Sequence, residues 1–302
     1  MKILLVINKT YRGVLDGTHW YLHQPLIELG HEVCLYDTVN NNSDQESFSS
    51  VVEKFKPDLI FCMLTGNQDI APREPWEELL QETNSGRTKT FNWFCDDTWR
   101  FNTFSKDACK NFVVCSTPER DHIKKYHDIG YNNIIVANWH ANSKFYTPKS
   151  FEDRATNLSF VGALTAARKE FFINSKHQMT FYFNLTQEQM FDAFCSSKIG
   201  INLSFNENDP LMGTQMKQRM FEIPAGASLM FTQYHEGIEE YYKIDKEIIT
   251  FKSAVEYNEK LNFLLQNEKI VKSIANKGHQ RFLKQHDSKI RLANVLEEIM
   301  KI

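Results

Sequence analysis

Residues 213–222, GTQMKQRMFE, followed at once by IPAGASLMFT, set a small-residue turn, a cation and a carboxylate at a spacing that could do chemistry on a phosphorylated ligand. Arg219 and Glu222 lie three apart and share one helix face. Gly213 and Thr214 form a small-residue turn ahead of that helix, and the Thr214 hydroxyl is suited to cap its first turn. Gly226, Ala227 and Ser228 break the helix before an apolar strand. A helix N-terminus offers N–H groups and partial positive charge to a diphosphate. Arg219 adds a fork of donors matched to phosphate oxygens, Lys217 adds a point charge, and Glu222 is an acceptor for ribose hydroxyls. A surface Arg–Glu pair at this spacing is also common and stabilises by only ~0.2–0.5 kcal/mol, so the surrounding chain has to decide.

The elements that would position these groups alternate between apolar runs and amphipathic stretches. In the first half the strand-like runs are KILLVI, EVCLYD, LIFCML, TFNWFC, FVVCS and NIIVAN; helix-length segments such as HWYLHQPLIELG and PERDHIKKYHDIG separate them. In the second half NLSFVG, MTFYF, KIGINLS, SLMFT and EIITF repeat the alternation. The pattern predicts parallel α/β sheets. Two Rossmann-like domains in series follow, over residues 1–149 and 150–286, with the break near Pro148 where Pro, Ser and charged residues interrupt the pattern. Ile290, Leu292, Val295, Leu296 and Ile299 mark residues 287–302 as an amphipathic helix returning to the first domain.

Composition narrows the class. The 302 residues are 42% hydrophobic and 24% charged, enough for two ordinary domains. No run reaches the ~18 apolar residues that cross a bilayer, so no integral membrane segment is expected, and MKILLVI reads as a buried strand rather than a signal peptide. The six cysteines form no CxxC pair and no matched histidine spacing, which fits a reducing cytoplasm and neither a disulfide framework nor a zinc site. Lys and Arg number 16 against 19 acidic residues in 1–150 and 19 against 19 in 151–302, matching the totals of 35 and 38. Neither half is basic enough to recommend nucleic acid as the main partner.

Two such halves suit a two-domain glycosyltransferase, a dinucleotide enzyme or a hinge-bending binding protein. The dinucleotide class needs GxGxxG after the first strand; here INKTYRGVLDGT offers only Gly13 and Gly17. An exported binding protein needs a leader, which the opening does not resemble. The runs FVGALTAARKEFF (160–172), KIGINLSFNENDPLMGTQMKQRMFEIPAGASLMFTQY (198–234) and its sequel, with FNWFCDDTWRF (91–101) and VANWHANSKFYTP (136–148), resemble the CgeB-like branch of the group 1 (family 4) glycosyltransferases. The resemblance covers most of the chain and is weakest over residues 10–85. It implies a GT-B architecture, two Rossmann-like domains facing across a cleft, with the nucleotide sugar held mainly by the second and the acceptor by the first.

Residue by residue, the resemblance gives Glu222 the donor ribose and Arg219 the diphosphate, with Lys217 assisting. Gly162 ends a strand where a ligand can approach the backbone, and Arg168 stands where the family places a cation for the departing diphosphate. Many family members carry two acids eight apart; the first position here is Thr214, a departure that leaves sugar identity and catalytic competence open, though backbone near Gly213 can still meet the sugar or phosphate. Asp96 and Asp97 end the TFNWFC strand, the edge where open α/β sheets bind ligands, and either a helix cap or an acceptor-orienting role suits them, Asp97 in the catalytic role. Trp99 and Arg100 extend that acceptor wall. His19, after the first strand, is placed to meet the acceptor, and His235, after SLMFTQY, the donor. His140 is expected to be structural, and no two histidines are expected to be spaced as metal ligands on one helix.

The combined reading is transfer of a hexosyl or pentosyl group from a nucleoside diphosphate sugar to an acceptor hydroxyl. The resemblance implies retention of configuration and no essential metal or other cofactor, Arg168 and Arg219 standing in for a cation. The acceptor stays open among glycan, lipid, protein and modified DNA. Two rivals stay open with it: a phage-type DNA glycosyltransferase acting on hydroxymethylated bases, and a non-catalytic protein of the same fold that binds nucleotide sugars or serves a structural role.

Overall fold

A computed structural model describes residues 1–11, 13–40, 45–206 and 209–302. It divides into an N-terminal unit, Met1–Asn138 with Arg291–Ile302, and a C-terminal unit, Trp139–Ile290. The division falls ahead of the position near Pro148 expected from composition. The reason is local: Ala141 bridges Asp287, the Ser143 amide donates to Asp287 at 3.0 Å, and Phe145 and Tyr146 pack on Phe191, so the segment after Asn138 is tied into the second unit.

The N-terminal unit is built on six parallel strands, β1 (Lys2–Ile7), β2 (Glu32–Asp37), β3 (Leu59–Cys62), β4 (Lys89–Trp93), β5 (Val114–Thr117) and β6 (Ile134–Val136), in the order β2-β1-β3-β4-β5-β6. Ile3 through Ile7 are fully buried. A strand covered on both faces has to be a continuous apolar run, which is why KILLVI shows no alternation. Helices α1 (Phe48–Phe55), α2 (Trp76–Ser85) and α3 (His122–Asp128) accompany the sheet, with Phe48, Val52, Leu79 and Tyr126 entering its core.

The C-terminal unit has five parallel strands, β7 (Thr156–Val161), β8 (Thr180–Tyr182), β9 (Ser197–Asn202), β10 (Leu229–Gln233) and β11 (Ile249–Phe251), ordered β8-β7-β9-β10-β11. Its helices are α4 (Ala166–Ile173), α5 (Gln187–Cys195), α6 (Arg219–Ala225), α7 (Ala254–Gln266) and α8 (Glu268–Gln285). Phe160, Ile199, Ile201, Leu229, Phe231 and Phe251 form the core with Tyr257, Leu261 and Ile274. A reciprocal capping box between Thr186 and Gln189 starts α5. The last helix, α9 (Ser288–Lys301), buries Leu292, Val295, Leu296 and Ile299, and the carbonyl of Ile299 accepts from Lys89 Nζ at 3.2 Å.

In both sheets the second strand lies on one side of the first and the third on the other. The chain therefore reverses its direction of strand addition at β1/β3 and again at β7/β9. At such switch points neighbouring loops diverge and leave a crevice beyond the strands' carboxyl ends. Every strand-like run read from sequence forms a strand, and those two crevices are where chemistry is to be sought.

Candidate functional site

In the C-terminal unit, β7 ends at Val161 and runs into Gly162, whose φ of +136° suits only a residue without a side chain. Arg219, at the start of α6, donates from Nη1 to the Val161 carbonyl at 2.9 Å and from Nε to Asn202 Oδ1 at 3.3 Å. A Cβ on Gly162 would sit 2.5 Å from that Nη1, so the glycine admits the guanidinium to the strand end. Arg168, in the first turn of α4, donates to the Ala163 carbonyl at 2.8 Å. Both guanidinium groups lie over the Phe160 ring, Arg168 at 5.5 Å and Arg219 at 4.7 Å from its centre. Two cations separated by about a third of the unit's sequence thus meet at one strand end, on carbonyls that an incoming anion can replace.

Glu222 follows one turn after Arg219 and is 3% exposed. Burial pushes its carboxyl up to about 7, against the opposing pull of Arg219 and of the Tyr146 hydroxyl, which stands 3.5 Å from Oε1. Tyr146 in turn is held well above the usual phenol value by burial and by the charge of Glu222. A carboxylate kept near its midpoint at neutral pH ionises readily when new hydroxyl donors reach it.

The approach to α6 differs from the expected one. The helix begins at Arg219, its N-cap Gln218 makes no side-chain cap bond, and residues 213–218 are not helical. Thr214 forms an antiparallel bridge with Phe205, the Gln215 amide donates to Ser204 O at 2.9 Å, and Gly213 is exposed with φ +93°. Thr214 is therefore not a helix cap; that pairing pulls it out of line, and its hydroxyl instead meets His235 Nδ1 at 3.1 Å. His235 is buried, and Lys217 is half-buried before α6. Asn202 and Gln233 were not singled out from sequence. Gln233 Oε1 accepts the amides of Ser204 and Phe205 at 3.0 and 3.1 Å, fixing the loop that pairs with Thr214. Their only sequence signal is a polar residue closing an apolar strand.

The N-terminal unit has a cavity of about 270 Å³ at the carboxyl ends of β1, β3 and β4, lined by Asn8, Thr18, Thr65, Cys95, Asp96 and Arg100 among others. Of the two adjacent acids, Asp96 faces this cavity. Asp97, expected in the catalytic role, is fully buried: its Oδ2 accepts from the Tyr126 hydroxyl at 2.7 Å, and burial raises its carboxyl despite hydrogen bonds from Ser105, Tyr126 and Thr117. It braces the core beneath the cavity, because the helical turn Asp97–Arg100 points consecutive side chains in different directions. Arg100 Nη2 donates to Thr65 O at 2.6 Å and its guanidinium covers Phe104 at 4.3 Å. Trp99 is half-buried in the same turn and does not line the cavity.

His19 begins a π-helical turn, His19–His23, whose flanking and interior residues Thr18 and Tyr21 line the cavity; His19 itself does not. A second π-helical turn, Phe101–Ser105, follows Arg100. Such turns are rare and gather at functional sites. Contrary to expectation, two histidines do share a helical face: His19 and His23, four apart, approach to 3.3 Å between Nδ1 atoms. Burial holds both below the usual histidine value, and Lys9 adds to it. Among the described residues no three His, Cys, Asp or Glu side chains converge as metal ligands.

Glu74 was also missed. Its carboxylate accepts from the Thr65 hydroxyl and the Gly66 amide at 2.9 Å each, from Trp76 Nε1 at 3.1 Å and from the Thr65 amide, and so clamps the loop carrying Thr65 into the cavity wall. Gly66 has φ +65°, and a Cβ there would stand 2.2 Å from the Phe104 ring. No periodicity in residues 65–75 announces the clamp.

A family model described as glycosyl transferase-like matches residues 152–297, the stretch that holds Gly162, Arg168, Arg219, Glu222 and His235. Sucrose-phosphate synthase from Thermosynechococcus elongatus superposes with a TM-score of 0.69 at 9% identity, covering 100% of this chain and 99% of that one. HepE from Anabaena, solved in complex with UDP-glucose, superposes at 0.66 and 10% identity over 100% of both chains. A glycosyltransferase from Rickettsia africae gives 0.64 at 11% identity, with 99% and 98% covered. The fold is GT-B. At these identities the superpositions speak for architecture alone. No curated protein matches the chain by sequence.

Proposed function

We propose that this GT-B protein is a glycosyltransferase of the CgeB-like group 1 type that moves a hexosyl or pentosyl group from a nucleoside diphosphate sugar to an acceptor hydroxyl. The observation that carries the reading is the pair of guanidinium groups from Arg168 and Arg219 on the end of β7, opened by Gly162 and followed one turn later by buried Glu222. An incoming diphosphate replaces the carbonyls of Val161 and Ala163 as acceptor. Charge-assisted bonds to phosphate are roughly twice as strong as those to neutral carbonyls, so the exchange favours the ligand. Glu222 accepts the ribose hydroxyls and ionises as it does so.

The same two arginines stabilise charge growing on the leaving diphosphate as the sugar–phosphate bond breaks, the role a metal plays elsewhere. In the family mechanism that the resemblance implies, transfer retains configuration and a β-phosphate oxygen takes the acceptor proton. The cavity walled by Asn8, Thr18, Asp96 and Arg100 receives the acceptor, Asp96 orienting its hydroxyl. His235, joined to Thr214, takes the sugar-facing place that an acid fills in many relatives. UDP-glucose is the first donor to try, since HepE has been solved with it.

A panel of UDP-, GDP-, ADP-, CMP- and dTDP-sugars, read by thermal shift and by donor turnover, tests the reading. One nucleotide should stabilise the wild type and leave Glu222→Ala unmoved, with turnover lost in Arg219→Ala. A non-catalytic reading is favoured by Thr214 standing where a carboxylate is usual; binding without turnover across all donors and acceptors would decide for it. Silence in both assays would remove the donor pocket itself.

A further inference from the structure

Away from the end of β7, the C-terminal unit carries a groove of about 400 Å³ between α8 and the loop after Tyr242. Lys277, Arg281 and Lys284 recur at four and three residues along α8 and share one face, and Lys243 and Lys246 rise from the loop opposite. Five cations line the groove against one acid, Glu247, in a chain whose net charge is −3. The arrangement is braced. Arg281 clasps Glu247 through Nε at 3.0 Å and Nη2 at 3.1 Å, and the Glu247 carboxyl is held below its usual value by that partner despite its burial. Gly278 lets α8 approach the loop so closely that a Cβ would lie 2.4 Å from the Glu247 carbonyl oxygen.

The brace consumes the arginine and the one lining carboxylate together. Lys243, Lys246, Lys277 and Lys284 are exposed; the Lys243 amide donates to Glu247 Oε2 at 2.9 Å and its charge helps hold that carboxyl down, while among the described residues none of the four ammonium groups makes a salt bridge, and Asp245, exposed at the loop tip with φ +62°, does not line the groove. Like charges held together cost free energy unless an anion joins them, and a concave cluster of one sign concentrates anions. Lysine ammonium groups are compact, strongly hydrated point charges that bind phosphate without demanding planar geometry. A groove of this size admits several phosphates close together.

From this we infer that the α8 groove is a binding site for a ligand bearing clustered phosphates, either a multiply phosphorylated lipid headgroup or a free oligophosphate, separate from the donor pocket. Sodium tripolyphosphate titrated calorimetrically into the intact protein is the probe, with vesicles of phosphatidylcholine containing phosphatidylinositol bisphosphate as the second arm. Lys277→Gln with Lys284→Gln removes two exposed charges and should leave the melting temperature unchanged. In Arg219→Ala, where the donor pocket no longer competes for phosphate, tripolyphosphate should bind at one per chain, at least tenfold more weakly once the double variant is added, and weakening steeply with salt. Vesicle capture lost in the double variant identifies the lipid source; tripolyphosphate binding without capture identifies the free one. Equal binding by Arg219→Ala with and without the double variant overturns the inference. So does loss of binding in Arg219→Ala instead, or preference for duplex DNA or for phosphatidylserine vesicles over both probes.

Discussion

The two sheets share a strand order and differ in how their switch points are furnished. At the end of β7 the crevice holds the chain's own cations, Arg168 and Arg219, parked on backbone carbonyls around one aromatic ring. At the ends of β1 and β3 it holds a cavity walled by hydroxyls, an amide, two acids, Asp16 and Asp96, and one arginine. The first is suited to exchange a neutral acceptor for a charged one, which selects anions. The second is suited to sort hydroxyl groups by hydrogen bonding, which selects by shape and donor pattern. Identical topology therefore supplies the place, and side chains from elsewhere in the sequence supply the chemistry.

The sharpest way to break this contrast is Arg219→Ala. It removes the donor fork and should lower turnover of the donor by a hundredfold or more, about 3 kcal/mol of transition-state stabilisation. Arg219→Lys should recover little of it, since a point charge cannot bridge Val161, Asn202 and a phosphate at once. Steady-state kinetics on the donor found by the panel check both. If either variant turns over at the wild-type rate, the two crevices do not divide the labour as described.

Glu222 sharpens the comparison through pH. Its carboxyl titrates near 4.5 when unfolded and near 7 when buried beside Arg219. The folded chain thus binds the extra proton between those values, so this contribution to stability is full below about 4.5 and is lost as pH rises through about 7. Glu222→Gln removes the dependence. The unfolding free energy of the variant relative to wild type should rise by about 3 kcal/mol between pH 4.5 and 8, read by denaturant titration at each pH. A constant difference would mean that the side chain is hydrated in solution.

The paired acids give the next effect. Asp97→Asn should cost about 1–3 kcal/mol of stability by weakening the buried bond to Tyr126, whereas Asp96→Asn should leave the melting temperature alone and raise the KM for acceptor. The reverse outcome would exchange their roles. Smallest is Thr214→Val, which forfeits the bond to His235 and should cost about 1 kcal/mol or less, with an effect on the donor and none on the acceptor KM.

How far the site was legible in sequence follows from the range of the forces involved. Arg219 and Glu222 could be paired because three residues on a helix is a local distance, and Gly162 could be flagged because a strand ending in glycine is a local pattern. Thr214 misled for the same reason: it looks like a cap when only its neighbours are considered, and its bridge to Phe205 lies nine residues away. Glu74, Asn202 and Gln233 act on partners chosen by packing and leave no periodic trace. Asp96 and Asp97 are chemically identical neighbours, and only the position of Tyr126, twenty-nine residues on, says which turns inward.

By itself the sequence determined the eleven strands, their parallel class and the two-unit plan, because continuous apolar runs of strand length and the helical stretches between them encode burial locally. The tertiary structure alone decided that Arg168 and Arg219 meet over Phe160, that α6 starts only at Arg219, and that one acid of an adjacent pair faces a cavity while the other braces the core. Those outcomes depend on which surfaces are brought within hydrogen-bonding distance once the sheets close. A side chain's partner across the fold is fixed by packing, not by its place in the chain.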